Sequence, residues 1–253
     1  MSSTPQVWQN HLLRALPEAA LRRWLPQLEP QHLVAGRVLY DASDRLSHAW
    51  FPTTAIVSLL NTTNEGASTE IAVVGCEGLV GMELFMDGTT LPGQAVVQSG
   101  GHAFRLRADA ARDGFGQSGA VMQLMLRSLQ ALITQIAQTV VCSRHHALSQ
   151  RLCRRLLMGL DRSEGDDLAV TQEQLAGLLG VRREGVSECA LRLQKLALIR
   201  YARGHVRVLD RAGLEAQCCE CYRVVKNEYD RLLPHREAAG AATAWRAKAT
   251  LQA

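Results

Sequence analysis

The sequence predicts an α+β chain built from an N-terminal β-roll, a long dimerisation helix and a C-terminal winged helix. Three observations carry that expectation. Six short apolar runs, broken by Gly, Asn, Asp and Pro, lie between Gly36 and Arg107. Ser118 to Arg144 is a continuous helical pattern with two apolar strips. Val170 to Ala190, VTQEQLAGLLGVRREGVSECA, reads as two short helices joined at a glycine. The expected division is 1–117 for N-terminal helices and roll, 118–144 for the spine, 145–233 for the winged helix and 234–253 for a tail. That Ala-rich tail lacks a periodic apolar face and is expected to be flexible.

Residues 1–35 read as helical, with helices over His11–Ala15 and Glu18–Leu28 interrupted by Pro17 and Pro26. The strand candidates are Val38–Tyr40, Ala49–Phe51, Ile56–Leu60, Glu70–Val74, Ala95–Val97 and Ala103–Leu106. Strands of this length and spacing suit a small sandwich or roll. In the long helix, Met122, Met125, Leu129, Leu132 and Ile136 follow the 3–4 spacing of a coiled-coil seam. Leu126, Ile133, Ala137 and Val140 form a second strip. A helix with two strips needs two partners. One strip is expected on the chain's own roll and the other, assigned to the Met122–Ile136 seam, on a second copy. A further helix is expected over His145–Met158, followed by an acidic loop from Asp161 to Asp167.

Thr171 stands where an N-cap is wanted, and Gln174 follows at capping-box spacing. Leu175, Leu178 and Leu179 give the first short helix an apolar face, Ala176 permits close approach, and Gly180 falls at the turn. Val181, Val186 and Cys189 supply the buried face of the second. Its other side carries Arg182, Arg183, Glu184, Ser187 and Glu188, side chains able to hydrogen-bond base edges in a major groove. Two strand-like runs then flank Ala202-Arg203-Gly204-His205, a hairpin signal. A helix-turn-helix followed by a basic hairpin is a winged helix, with Arg203 and His205 at the wing tip, placed for phosphates.

Composition sets the bounds. The 253 residues are 47% hydrophobic and 21% charged, a balance that suits a globular chain with a sizeable core. No stretch approaches the roughly 20 apolar residues of a membrane span, and no basic segment followed by an apolar run opens the chain. A cytoplasmic protein is expected. The net charge of +4 is modest, but 17 Lys and Arg against 12 Asp and Glu between Arg144 and Arg236 place the excess in the C-terminal half. Seven cysteines argue against a disulfide framework. Cys218, Cys219 and Cys221 cluster in a helical segment without a partner pair at zinc-finger spacing, and are read as structural. Redox or metal sensing is the other use of such a cluster. His145-His146 do not share a helix face, so no metal is expected there.

A roll, a dimer helix and a winged helix together resemble the Crp/Fnr superfamily of bacterial transcription regulators, over roughly residues 10–233. The strongest marks are VTQEQLAGLLGVRREGVSE and LQKLALIRYARGHVRVLDRAGLE; weaker ones are WFPTTAIVSLL, IAVVGCEGLVG and AQTVVCSRHHALSQRLCRRLL. The resemblance implies a cyclic-nucleotide-binding-like sensor roll, a homodimer, double-stranded DNA with an inverted-repeat operator, and contact with RNA polymerase. It implies that Arg183 and Glu184 read bases, and that Gln172 and Arg182, with Thr171 beside them, lie along the phosphate backbone. Glu188 stands where readers of the TGTGA-type half-site carry a second Arg, so a different operator is implied. The family's effector pocket maps onto Gly81, Met82, Glu83, Gln94 and Ala95. Met82 stands at the position of the ribose-binding Glu, unless the loop shifts by one and brings Glu83 there, and no Arg lies between Gly81 and Arg105 to meet a cyclic phosphate. Cyclic AMP is therefore not expected, no cofactor is required, and the effector is unassigned. The N-terminal Cys set of the iron–sulfur branch is missing, and the lone Cys76 and His102 are read as structural rather than as haem ligands.

The alternatives are a DNA-binding protein whose roll is a ligand-free scaffold, or a nucleotide-responsive subunit that binds a protein partner instead of DNA. An enzyme is not expected, since no nucleophile–base pair, phosphate-cradling Gly loop or metal quartet stands out.

Overall fold

The computed structural model describes residues 6–42, 44–86, 93–163 and 165–233. The tail from Pro234, expected to be flexible, lies outside them. Two short helices, α1 (His11–Ala15) and α2 (Glu18–Trp24), lead into the roll. Asn10 caps α1 by accepting from the amides of Leu12 and Leu13, while its side-chain amide donates to the carbonyls of Pro52 and Gly78. That pins the helix to the roll.

The roll has two antiparallel sheets. One is ordered β1-β7-β3, from Glu29–Leu33, Gly101–Arg107 and His48–Pro52. The other is ordered β2-β6-β4-β5, from Val38–Tyr40, Gln94–Ser99, Ile56–Thr62 and Ser68–Val74. Their inner faces share one core, with Leu33, Phe51 and Leu106 from the first and Val57, Ala72 and Val97 from the second. All six expected strands are present; β1 was expected to be helical.

The β4–β5 pair decides how the two halves of the chain meet. Leu59 pairs with Ala72, but Leu60 pairs with Glu70, so Ile71 is an extra residue in β5. A bulge of this kind reverses which face the following side chains occupy. Glu70 consequently turns outward beside Ser58, on the same face as Ile56 and Val73. That outer face is buried under the C-terminal half: Ile56 and Val73 belong to the same apolar cluster as Leu156, Leu175 and Val186.

Helix α3 (Ala108–Gln117), which none of the expectations covers, precedes the spine α4 (Gly119–His145). The Ser118 hydroxyl caps α4 by accepting from the Val121 amide. The chain breaks at His146-Ala147 and resumes as α5 (Leu148–Leu160), where one helix from His145 was expected. The remaining elements are β8 (Asp167–Ala169), α6 (Gln172–Leu179), α7 (Arg183–Lys195), β9 (Ile199–Ala202), β10 (His205–Val208), α8 (Arg211–Ala216) and α9 (Glu220–Leu232). The acidic loop thus ends in a strand, and the segment read as one cysteine-bearing helix is two, with Cys219 as the N-cap of α9.

The strip assignment on α4 is corrected. Met125 and Leu132 are only 1% and 8% exposed and sit in the roll's core, with Leu129 and Ile136 packed partly against it. They are not available to a second copy. The outward strip is Met122, Leu126, Ile133 and Val140, exposed by 41%, 50%, 56% and 64%. Gln135, fully buried, closes the inner side. Its carboxamide accepts from the Val73 amide and donates to the Val73 carbonyl, both at 3.1 Å, and donates also to the Tyr229 hydroxyl. Both backbone groups of a sheet-edge residue are thereby satisfied.

Two buried ion pairs complete the contact between halves. The Arg155 guanidinium lies on Glu70, with Nε 2.6 Å from Oε1 and Nη2 donating to Oε2 at 3.0 Å. Ser58 donates to the same carboxylate at 2.5 Å, and Arg155 also donates to Gln98. Arg162 donates to Glu77 at 2.7 Å and stacks over the Tyr229 ring.

Candidate nucleic-acid interface

The helix-turn-helix is set by local rules legible in the chain. Thr171 Oγ1 accepts from the Gln174 amide at 3.1 Å, and Gln174 Oε1 accepts from the Thr171 amide at 2.8 Å, a reciprocal capping box. Gly180 ends α6 in the left-handed region, φ 63° and ψ 44°, with its amide on the carbonyls of Ala176 and Gly177. The turn then aims α7 across α6. Leu175 and Ala176 from α6 meet Val186, Ala190 and Leu193 from α7, all buried.

The opposite face of α7 is open. Arg182, Arg183, Glu184 and Glu188 are exposed in a row that begins at the helix N-terminus. Glu184 in the first turn suits the positive end of the helix dipole. Ser187 is partly buried instead, donating to Gln172 at 2.6 Å and to the Arg183 carbonyl at 3.1 Å. Two residues expected to face DNA separately therefore hold each other, fixing α6 against α7.

The wing is a three-stranded antiparallel sheet, order β8-β10-β9. Ala202 pairs with His205 across a two-residue turn, Arg203-Gly204, in which both residues have positive φ, 48° and 80°. This is the primed geometry that matches strand twist in a hairpin. Arg203 and His205 are exposed at its tip. A Cβ on Gly204 would lie 3.3 Å from Thr171 Cγ2, so the wing tip abuts the start of α6. Tyr201 ties the wing down through its hydroxyl, which donates to the Val170 carbonyl at 2.6 Å. Burial pushes that phenol up, and the charge of Arg183 draws it partly back. Thr171, Arg183, Arg203 and His205 are all exposed.

A family model described as a Crp-like helix-turn-helix domain matches residues 150–217. Residues 150–217 are thus similar to the Crp-like helix-turn-helix family. Solved structures with the same fold include FixK2 from Bradyrhizobium japonicum, TM-score 0.67, 12% identical, spanning 76% of this chain and 98% of that one. A CRP-family transcriptional regulator from Thermus thermophilus gives 0.62 and 19%, over 74% and 95% of the two chains. The c-di-GMP-responsive global regulator CLP from Xanthomonas campestris gives 0.60 and 16%, over 76% and 99%. No curated protein matches the chain in sequence. Among the described residues no helix is long and apolar enough to cross a membrane. By its Crp-like helix-turn-helix domain the chain is a DNA-binding transcription regulator, and the solved structures it resembles in fold are regulators rather than enzymes.

The expected effector pocket divides. Met82 and Ala95 are buried in the roll's core, 3% and 0% exposed, and Gly81 is buried beside them. The side chains of Met82 and Ala95 pack into that core. Glu83 and Gln94 are half-buried. Burial pushes the Glu83 carboxyl up, and its Oε2 has no hydrogen-bond partner among the described residues. Its charge in turn raises the Tyr40 phenol, whose shift comes first from burial.

One grouping has no counterpart in the sequence-based expectations. Cys142 and His146, at the end of α4, meet Cys219 and Cys221, at the start of α9.

Proposed function

We propose that this regulator binds double-stranded DNA as a homodimer, with α7 in the major groove and the wing on the flanking backbone. The observation that carries the reading is the exposed row Arg182, Arg183, Glu184 and Glu188 on a helix whose other face is locked into a Crp-like domain. Arg183 can donate bidentately to a guanine and Glu184 can accept from a cytosine amino group. Thr171, Gln172, Arg182, Arg203 and His205 lie at the margins, where phosphates run. Glu188 brings a carboxylate to the groove and speaks against a second guanine contact there. The exposed strip of α4 supports the dimer, since large apolar residues recurring at four- and seven-residue intervals and left to water are what a parallel twin covers.

Control by a small effector in the roll, contact with RNA polymerase and a cytoplasmic location belong to the same reading. A cyclic nucleotide does not suit the roll. The segment from Gly81 to Phe104 carries no Lys or Arg for its phosphate. Its one carboxylate among the described residues, Glu83, would repel that phosphate. The test is enrichment of bound sequences from a random DNA pool across a salt series. An inverted repeat, with affinity falling steeply as salt rises, is the expected result. Arg203→Ala should lower the salt slope by about 1 without altering the motif. A pool that shows no enrichment at any salt overturns the reading.

A further inference from the structure

Four soft or borderline donors meet where the spine joins the last helix. The ligand atoms of Cys142, His146, Cys219 and Cys221 all lie within 4.8 Å of one another. The three cysteines are 2%, 5% and 0% exposed. Cys142 Sγ is 3.6 Å from Cys219 Sγ, and Cys221 Sγ is 3.5 Å from His146 Nδ1. Zinc–sulfur bonds of about 2.3 Å and zinc–nitrogen bonds of about 2.0–2.1 Å at a tetrahedral angle give ligand separations of about 3.8 Å for S···S and about 3.5 Å for S···N. Both pairs fall at those edges. A disulfide, by contrast, needs sulfurs about 2.05 Å apart.

The surroundings fit a metal as well. The other ring nitrogen of His146, Nε2, lies 3.2 Å from Glu220 Oε1, the carboxylate–histidine arrangement that orients an imidazole ligand. Arg154 is 7% exposed; among the described residues no carboxylate pairs with it, and its Nε lacks a hydrogen-bond partner. Its Nη2 donates only to the Thr139 hydroxyl, at 3.1 Å. A buried guanidinium without a counter-charge is costly. Its charge bears on both Cys142 and Cys221. Three thiolates around a dication carry one net negative charge, which is what Arg154 lacks. Cys218 is outside the set: its sulfur faces the Gln150 carbonyl.

We infer that Cys142, His146, Cys219 and Cys221 form a closed Cys3His site for a single Zn²⁺ ion, which clamps α9 to the end of the spine. Four protein ligands leave no open position, so the site is a structural one. The ion displaces one proton from each of three thiols, leaves every oxidation state unchanged, and is taken from solution as Zn²⁺. The inference stands independently of what α7 binds.

The test uses the full chain, purified under reducing conditions and loaded with Zn²⁺ or Co²⁺. About one ion per chain is expected, with the intense visible absorption of tetrahedral Co²⁺ in a sulfur-rich shell. Cys221→Ser should abolish that spectrum, whereas Cys218→Ser should keep it. Glu220→Gln, a surface change that spares all four ligands, should weaken Zn²⁺ binding about 10–100-fold and keeps the test decisive should Cys221→Ser not fold. Sub-stoichiometric metal, an octahedral Co²⁺ spectrum, equal loss from Cys218→Ser, or a Cys142–Cys219 disulfide in protein never exposed to oxidant would each overturn the assignment.

Discussion

Replacing Glu70 by Gln removes one negative charge from the contact between the roll and the DNA-binding half while keeping the side chain's shape. The Arg155 and Glu70 side chains are 6% and 8% exposed, so the pair is screened little by water or salt. Without the carboxylate, Arg155 keeps a buried charge with only amide and hydroxyl oxygens around it. Breaking one side of such a pair costs about 3–5 kcal/mol, against about 0–1 kcal/mol for a surface pair. For a chain of this size that corresponds to a fall in Tm of about 6–20 °C. Replacing both residues, Glu70→Leu with Arg155→Met, should recover most of the loss, because an apolar pair of similar volume carries no desolvation cost. The assay is urea unfolding of wild type, both single variants and the double variant, analysed as a cycle. If Glu70→Gln cost under about 1 kcal/mol, the buried, unscreened character assigned to this contact would be refuted.

Three further outcomes follow from the same contacts. Ile133→Glu places a charge in the exposed strip of α4 and should shift the protein from dimer to monomer in sedimentation velocity; a variant that stays dimeric contradicts the corrected interface. Met125→Ala should instead destabilise each chain by about 2–5 kcal/mol in urea unfolding, since it opens a cavity in the roll's core, and a loss under about 1 kcal/mol would place Met125 elsewhere. Glu83 has its carboxyl held above the ordinary value by burial, so the folded state binds that proton more tightly than the unfolded one. Stability from this group is present at low pH and is lost as pH rises through and beyond the ordinary carboxylate range. The Tm of Glu83→Gln relative to wild type should therefore grow as pH goes from about 4 to about 7, and a difference that stays flat would remove the burial argument.

Local rules made much of this fold legible. The Thr171/Gln174 box and Gly180 are fixed by backbone chemistry within a short segment, and α6, α7 and the wing turn follow from them. Val38–Tyr40 stands as expected because β-branched and aromatic residues between Gly and Asp leave few alternatives. What failed depends on distant neighbours. β1 is polar and holds Pro30, tolerable because it is an edge strand paired only with β7. The two strips of α4 are both apolar, so composition announces two partners but not which strip meets which. That was decided by the roll packing around Met125 and Leu132 and by β5, whose edge Gln135 closes. The Ile71 bulge that turns Glu70 outward leaves no local mark. The Cys and His quartet joins position 142 to position 221, so no spacing rule reaches it, and spacing alone assigned Cys219 and Cys221 to packing.

The most direct test of the account is the base preference of wild type and Arg183→Ala, measured by sequencing DNA retained from one random pool. Wild type should retain an inverted repeat whose half-sites lie about one helical turn, roughly 10–10.5 base pairs, apart. Arg183→Ala should lose about 1–3 kcal/mol of discrimination at one position in each half-site and keep the rest. An identical motif and affinity in the two proteins would contradict the claim that α7 reads DNA through Arg183.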